Sequence, residues 1–434
     1  MISPTRRQFL IGGAGTVAAA SMPAVRAAGR PTALAMTAGP PAQSGIEHIV
    51  LVVMENRSFD HFLGWLPGAD GRQSGLEYPD DAGHLHPTHR LSEWQGCGFN
   101  DPDHSYTGGR TQLDGGRMDG FRRGLNDDYA LGYYERADLP FYGPLLAAAT
   151  TFDRYFCSIL APTYPNRFYT HAAYTDRLDN YTRFTTVPTI WDRLAAAGVP
   201  ARYYFSDLPF LVLWGEQYTS IASPVERFFA DAASGTLPAF SYIDPAFLGE
   251  EQGGSNDDHP HADIRRGQAF TSLIANAVVK SPLWSKTVLV ITYDEWGGFF
   301  DHVVPPRLPD SHNMVAGGPA DHAQAGFRVP CIVLSPFARP GAIGHNQYDH
   351  TSILKMVEWR FGLQPLTKRD AAARNLAEVL DPRRPQASPP SLPIVVDPGP
   401  HLCGSPGVGM AAAEDSSWLE LAALAKRLGW DALR

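Results

Sequence analysis

The first long apolar run of the chain is IVLVVM, residues 49–54, and it stops abruptly at Glu55, Asn56 and Arg57. It predicts a strand over 47–54. Comparable runs predict strands over 200–205, 239–243, 287–293 and 329–335. All are continuous rather than alternating, the pattern of strands buried on both faces. Helical periodicity falls between them. It predicts helices over 143–156, over 189–198 with Gly198 as the stop, over 261–281, and over 349–362. In 261–281, Ile264, Leu273, Ile274, Ala277 and Val278 share a face. In 349–362, Ile353, Leu354, Val357 and Phe361 do the same. This alternation predicts an α/β protein, a three-layer α/β/α sandwich around a mostly parallel sheet.

Residues 65–142 break the pattern, being rich in Gly, Asp, His and aromatics without a clear period. So long an irregular insert in a compact domain is expected to build a site or a lid. Residues 28–45 read as a linker, 46–365 as the main domain, and 366–434 as a Pro-rich connector ending in an amphipathic helix over 416–430. In that helix Trp418, Leu421, Ala425 and Leu428 share one face, which predicts docking on the protein's own core rather than on a membrane.

Composition adds two restrictions. Hydrophobic residues make up 44% and charged residues 19%, a globular balance that excludes a largely disordered chain. The net charge of −9, with no basic cluster, excludes nucleic acid as a partner. The N-terminus reads as an address. Arg6 and Arg7 precede Phe9 and Leu10, then a Gly/Ala-rich apolar run, then a small-residue site ending at Ala27. Residues 1–27 are therefore expected to be a twin-arginine signal, with the twin-arginine export machinery as a partner and a periplasmic, cell-envelope or secreted product. Four cysteines, Cys97, Cys157, Cys331 and Cys403, fit no zinc spacing. Cys331, inside an apolar strand pattern, is expected to be a buried thiol, and Cys97 with Cys157 is one conceivable pair.

Two strands end in acids. The run 287–293 stops at Asp294 and Glu295, as 49–54 stops at Glu55 and Asn56. In open parallel sheets the ligand crevice lies at the carboxyl ends of strands. Singly, each acid would be read as a solvated loop residue. Together at a sheet edge they are costly to bury unless a cation joins them. An oxygen-rich set of Glu55, Asn56, Asp294 and Glu295 suits one divalent metal ion: Ca, Mg, Mn or Zn. The stretch APTYPNR, 161–167, places Thr163 between two prolines just before a helical pattern. A hydroxyl there, beside a metal and a helix N-terminus, has the setting of a phosphoryl nucleophile. The same residue alone would be read as a cap. His104 in NDPDH, His259 and His261 in NDDHPH, and His302 in GGFFDH lie in non-periodic segments. His259 or His104 would protonate a leaving alkoxide or meet a phosphate.

These motifs, ENRSFDHFLG, DPDH, APTYPNR, DDHP and TYDEWGGFFDHVVPP, occur in the order of the bacterial phosphoesterase family, and over 46–362 the chain resembles it. That family contains phospholipases C and acid phosphatases within the alkaline-phosphatase-like superfamily. The resemblance implies a metal-dependent phosphoric ester hydrolase. Glu55, Asn56, Asp294, Glu295 and Thr163 would be metal ligands, with Thr163 also the nucleophile. His104, His259 and His302 would be the catalytic histidines, with Asp301 orienting His302. Asn100, Arg167 and His261 would shape the substrate site. Phospholipase C-type cleavage of a phospholipid, with peripheral membrane contact, is the first expectation. An acid-phosphatase-like monoesterase is the alternative, and a non-catalytic phospholipid-binding envelope protein comes after both. A sulfatase-like hydrolase is disfavoured, because Thr163 stands where such enzymes need a modifiable Cys or Ser.

Overall fold

The computed structural model describes residues 39–315, 318–386, 388–403 and 411–433. The expected signal, 1–27, and most of the 28–45 linker lie outside the described residues. The end of that linker is not loose. Pro41–Gln43 form a 3-10 turn, and Ser44 and Ile46 are buried.

The centre is an eight-stranded sheet. Its strands are β1 (His48–Met54), β2 (Thr150–Phe152), β3 (Ala201–Phe205), β4 (Ala222–Pro224), β5 (Phe240–Asp244), β6 (Thr287–Tyr293), β7 (Cys331–Leu334) and β8 (Ala342–Gly344). The order across the sheet is β8-β2-β7-β6-β1-β5-β3-β4. From β6 through β1, β5 and β3 to β4 every pairing is parallel. β7 runs antiparallel to both of its neighbours, β6 and β2. The sheet is thus mostly parallel, as its continuous apolar strands required. Every residue of β5 and β6, and all of β1 after His48, is buried. That burial needs cover on both faces.

The cover comes from helices α1 (Tyr142–Ala148), α2 (Thr163–Ala172), α3 (Ile190–Ala196), α4 (Val225–Ser234), α5 (Ile264–Lys280), α6 (Thr351–Phe361) and α7 (Ala411–Arg427). α4 packs with α5, and α2 packs with α3 and α6. The helix expected over 143–156 ends at Ala148, and Thr150–Phe152 joins the sheet instead. A β-branched pair followed by Phe fits a pleated strand better than a helix, and here β7 and β8 supply partners. The terminal helix starts at Ala411 rather than at a Ser cap, and Trp418 and Leu421 are fully buried. Among the described residues no helix is long and apolar enough to cross a membrane.

Cys97 is bonded to Cys403, not to Cys157. Cys157 and Cys331 are buried free thiols whose ionisation burial pushes well upward. The pair bridges 306 residues of sequence, a relation that spacing alone could not disclose.

Candidate active site

Register builds the site. Met54 is the cross-strand partner of Tyr293, so the residues that follow each, Glu55 and Asp294, leave the sheet at the same level. Asn56 comes next, with φ +63°. Asn tolerates this left-handed conformation better than most residues. Beyond Glu295 the chain turns back on Gly297, whose φ is +64°; a Cβ there would lie 2.1 Å from the Asn56 carbonyl oxygen. The two strand ends are therefore pressed together by a glycine no other residue could replace.

Asn56 is the hub. Its backbone N–H donates to Asp294 Oδ1 at 3.2 Å. Its Oδ1 accepts from Thr163 Oγ1 at 3.4 Å. Its Nδ2 lies 3.4 Å from His104 Nε2. His104 Nδ1 is 2.8 Å from the Pro102 carbonyl, which can only accept, so Nδ1 carries the hydrogen and Nε2 accepts from Asn56. His104 Nε2 is also 3.8 Å from Glu295 Oε1. Glu295 Oε2 accepts from the Gly297 N–H at 2.7 Å. Thr163 is the first residue of α2, with its hydroxyl at the positive end of a ten-residue helix. Glu55, Asn56, Thr163, Asp294, Glu295 and His104 are all completely buried.

Arg167, one turn along α2 and expected to shape the substrate site, is fully buried and engaged on every side. Nε donates to Asp294 Oδ2 at 3.0 Å and lies 3.3 Å from Glu55 Oε1; Nη1 meets Asp244 Oδ1 at 2.7 Å; Nη2 donates to the Val53 carbonyl at 3.2 Å. Burial works against its charge, but Asp244, Asp294 and Glu55 outweigh it and hold the guanidinium well above its usual range. Asp244, at the end of β5, is pushed up to about 6 by burial, against the pull of Arg167.

His259 lies beside His104, with ring centroids 5.6 Å apart. Between them stands Asp101, 4.0 Å from His104 Nδ1 and 3.9 Å from His259 Nε2. His259 Nδ1 lies 2.5 Å from Glu250 Oε2. Glu250 and Asp257 converge with Glu55, and burial together with Glu250 pushes Asp257 far above the carboxylate range. His261 is buried, with Nδ1 3.4 Å from Glu251.

Three expected residues have their partners elsewhere. His302 bonds Asp60 and Asp70, in a network with Arg328. Asp301, expected to orient it, bonds Arg328 instead. The turn at Gly297 and Gly298 carries this part of the loop past the strand ends. Asn100 is a loop staple: its side chain donates to the Leu125 carbonyl and its N–H to Asp127. Sequence reasoning passed over Asp101, Asp244, Glu250 and Asp257. Asp101 and Asp257 sit inside the DPDH and NDDHPH motifs, and Asp244 ends an apolar strand just as Asp294 does. Glu250, in a glycine-rich loop, carries no such signal.

The donor set fits a divalent cation. Among the described residues, Asp101, His104 and His259 offer ligand atoms that all lie within 4.8 Å of one another, and so do Glu55, Glu250 and Asp257; all six are buried. Among the described residues, Asp101 has no hydrogen-bond partner on either carboxylate oxygen, and Asp257 has none on Oδ2. A bound cation would satisfy these buried oxygens.

A mostly parallel sandwich with buried carboxylates at the carboxyl ends of its central strands places the chain in the α/β class, with a candidate site at that edge. The chain belongs to the phosphoesterase family, whose model matches residues 46–364. Phospholipase C B of Mycobacterium tuberculosis is 32% identical to it, over 83% of this chain and 81% of that protein. Non-specific phospholipase C6 of Arabidopsis thaliana is 30% identical, over 78% of this chain and 72% of its own length. Among solved structures, the phosphonate monoester hydrolase of Agrobacterium radiobacter superposes over 77% of each chain with a TM-score of 0.41 at 12% identity. The chain is a phosphoric ester hydrolase, with relatives of phospholipase C type.

Proposed function

We propose that the chain cleaves phospholipids in the manner of a phospholipase C, with Thr163 as nucleophile and one divalent cation held by Glu55, Asn56, Asp294, Glu295 and Thr163. The observation that carries this reading is the bond from Thr163 Oγ1 to Asn56 Oδ1, which ties a helix-terminal hydroxyl to the oxygen-rich strand ends. When bound, the cation would supply Lewis acidity, lowering the hydroxyl pKa and drawing charge from phosphate oxygens. Thr163 gives its hydroxyl proton up to water, and its Oγ attacks phosphorus. The Oγ–P bond forms as the bond from phosphorus to the diacylglycerol oxygen breaks. The α2 N-terminus favours the phosphate charge. His104, fixed by Pro102 and Asn56, faces the phosphate. His259, oriented by Glu250 through Nδ1, gives a proton to the departing alkoxide. Water then hydrolyses the phosphothreonine.

Activity on p-nitrophenyl phosphate, p-nitrophenyl phosphorylcholine and phosphatidylcholine vesicles, with and without chelator, tests this reading against Thr163→Ala. Chelator-sensitive cleavage of the choline substrates by the wild type alone is expected. Cleavage of the monoester alone would move the reading to an acid-phosphatase-like enzyme. Near-normal turnover by Thr163→Ala would remove the covalent mechanism.

Twin-arginine export belongs to the same proposal. Arg6 and Arg7 support it, and the Cys97–Cys403 bond suits an oxidising compartment. Replacing both arginines by lysine should retain the protein in the cytoplasm; unchanged export would remove this part of the proposal.

A further inference from the structure

The family match ends at residue 364, yet α7, at 411–427, reaches the candidate site. Trp418 is completely buried. Its ring lies flat on Phe247, with centroids 4.3 Å apart and planes 8° from parallel. Phe247 in turn carries the Arg167 guanidinium on its ring, 4.6 Å from the centroid. Arg167 holds Glu55 and Asp294. A second arm runs from the same tryptophan to Tyr164, the residue after Thr163, at 5.1 Å between centroids. Tyr164 Oη donates to the Ser417 carbonyl at 3.2 Å. One side chain from outside the matched segment thus stands behind both the proposed nucleophile and the cation that clamps the strand-end acids.

Among the described residues, the buried Trp418 indole N–H has no hydrogen-bond partner. Leaving such a donor unmet costs about 1–3 kcal/mol, which a leucine or phenylalanine would avoid. Packing alone therefore does not favour an indole here. A broad flat surface that touches Phe247 and Tyr164 together does.

We propose that Trp418 is a positioning residue for catalysis, acting through Phe247 on Arg167 and through Tyr164 on Thr163. The inference rests on the Thr163 reading above. Site geometry is sensitive at this scale, since a displacement of about 1 Å can cost about a hundredfold in rate.

The test is full-chain Trp418→Ala beside the wild type, assayed with p-nitrophenyl phosphorylcholine well below both melting temperatures. The expected result is a fall in kcat of about tenfold or more with KM changed less than about threefold, most of it recovered in Trp418→Phe. A lowered melting temperature with kcat unchanged would mean a purely structural residue and overturn the proposal. Should Trp418→Ala not fold, Phe247→Leu carries the test, with the same loss expected and an unchanged kcat overturning it. Calorimetric titration with Mn²⁺ needs no turnover, so it decides the matter even if the wild type cleaves none of the substrates. Trp418→Ala should bind the ion about tenfold more weakly, and equal affinity counts against the proposal. Inactive wild-type protein would count against the Thr163 reading alone.

Discussion

Arg167 donates through Nε to Asp294 Oδ2 at 3.0 Å, with both side chains wholly inside the protein. The contact joins α2 to the end of β6. Removing the cation would leave Glu55, Asp244 and Asp294 buried without it. Arg167→Met is therefore expected to destabilise the fold by about 3–5 kcal/mol, read as a lowered urea midpoint. A loss below about 1 kcal/mol would show that the acids are neutralised in another way.

Asn56 separates backbone from side-chain effects. Its φ of +63° suits glycine, so Asn56→Gly should keep stability within about 1 kcal/mol of wild type. The same variant loses the contacts to Thr163 and His104, and its turnover should fall by about a hundredfold or more. Asn56→Ala should lose the same activity and about 1–2 kcal/mol of stability besides. Paired denaturation and rate measurements check both statements.

Asp258 gives a pH signature. Burial raises its carboxyl to about 7 from an ordinary 3.8, although Tyr293 Oη donates to Oδ2 at 2.6 Å. Between those values the folded chain holds a proton that the unfolded chain has released. Stability from this group is complete below about pH 4 and is lost as pH rises towards 7, by up to about 4 kcal/mol. Asp258→Asn should remove up to about one proton from the slope of unfolding free energy over that window. Denaturant midpoints at intervals from pH 4.5 to 7.5 would show it, and an unchanged slope would refute the assignment.

The disulfide should carry measurable stability. Reduction, or Cys403→Ser, is expected to cost about 2–5 kcal/mol, seen as a lower melting temperature. The native protein should resist thiol alkylation, because Cys157 and Cys331 are buried and their ionisation is suppressed. Unfolding in denaturant without reductant should expose those two thiols.

The legible parts of this molecule share one physical cause. β1, β5 and β6 are buried on both faces, so their continuous apolar runs mark them within a residue or two. Glu55 and Asp294 could be read because acids directly after such runs have no reason to be there on packing grounds. Thr163 needed the prolines beside it. The illegible parts depend on three-dimensional neighbours. Thr150–Phe152 became a strand because β7 and β8 flank it. Arg167 turned inward because Asp244 lies on the strand beside β1. Glu250 backs His259 from a loop whose sequence gives no hint of it. His302 follows a strand-end motif in sequence, yet its partners are Asp60 and Asp70 on other segments, which spacing does not disclose.

The long reach from Cys97 to Cys403 also orders events in time. During synthesis Cys157 is made soon after Cys97, whereas Cys403 follows 306 residues after Cys97. An oxidant met early would find the wrong pair available. An oxidant met after folding would find Cys157 and Cys331 sealed in the interior and only the correct partners to join. Folding before oxidation leaves one pairing open to the four cysteines, Cys97 with Cys403.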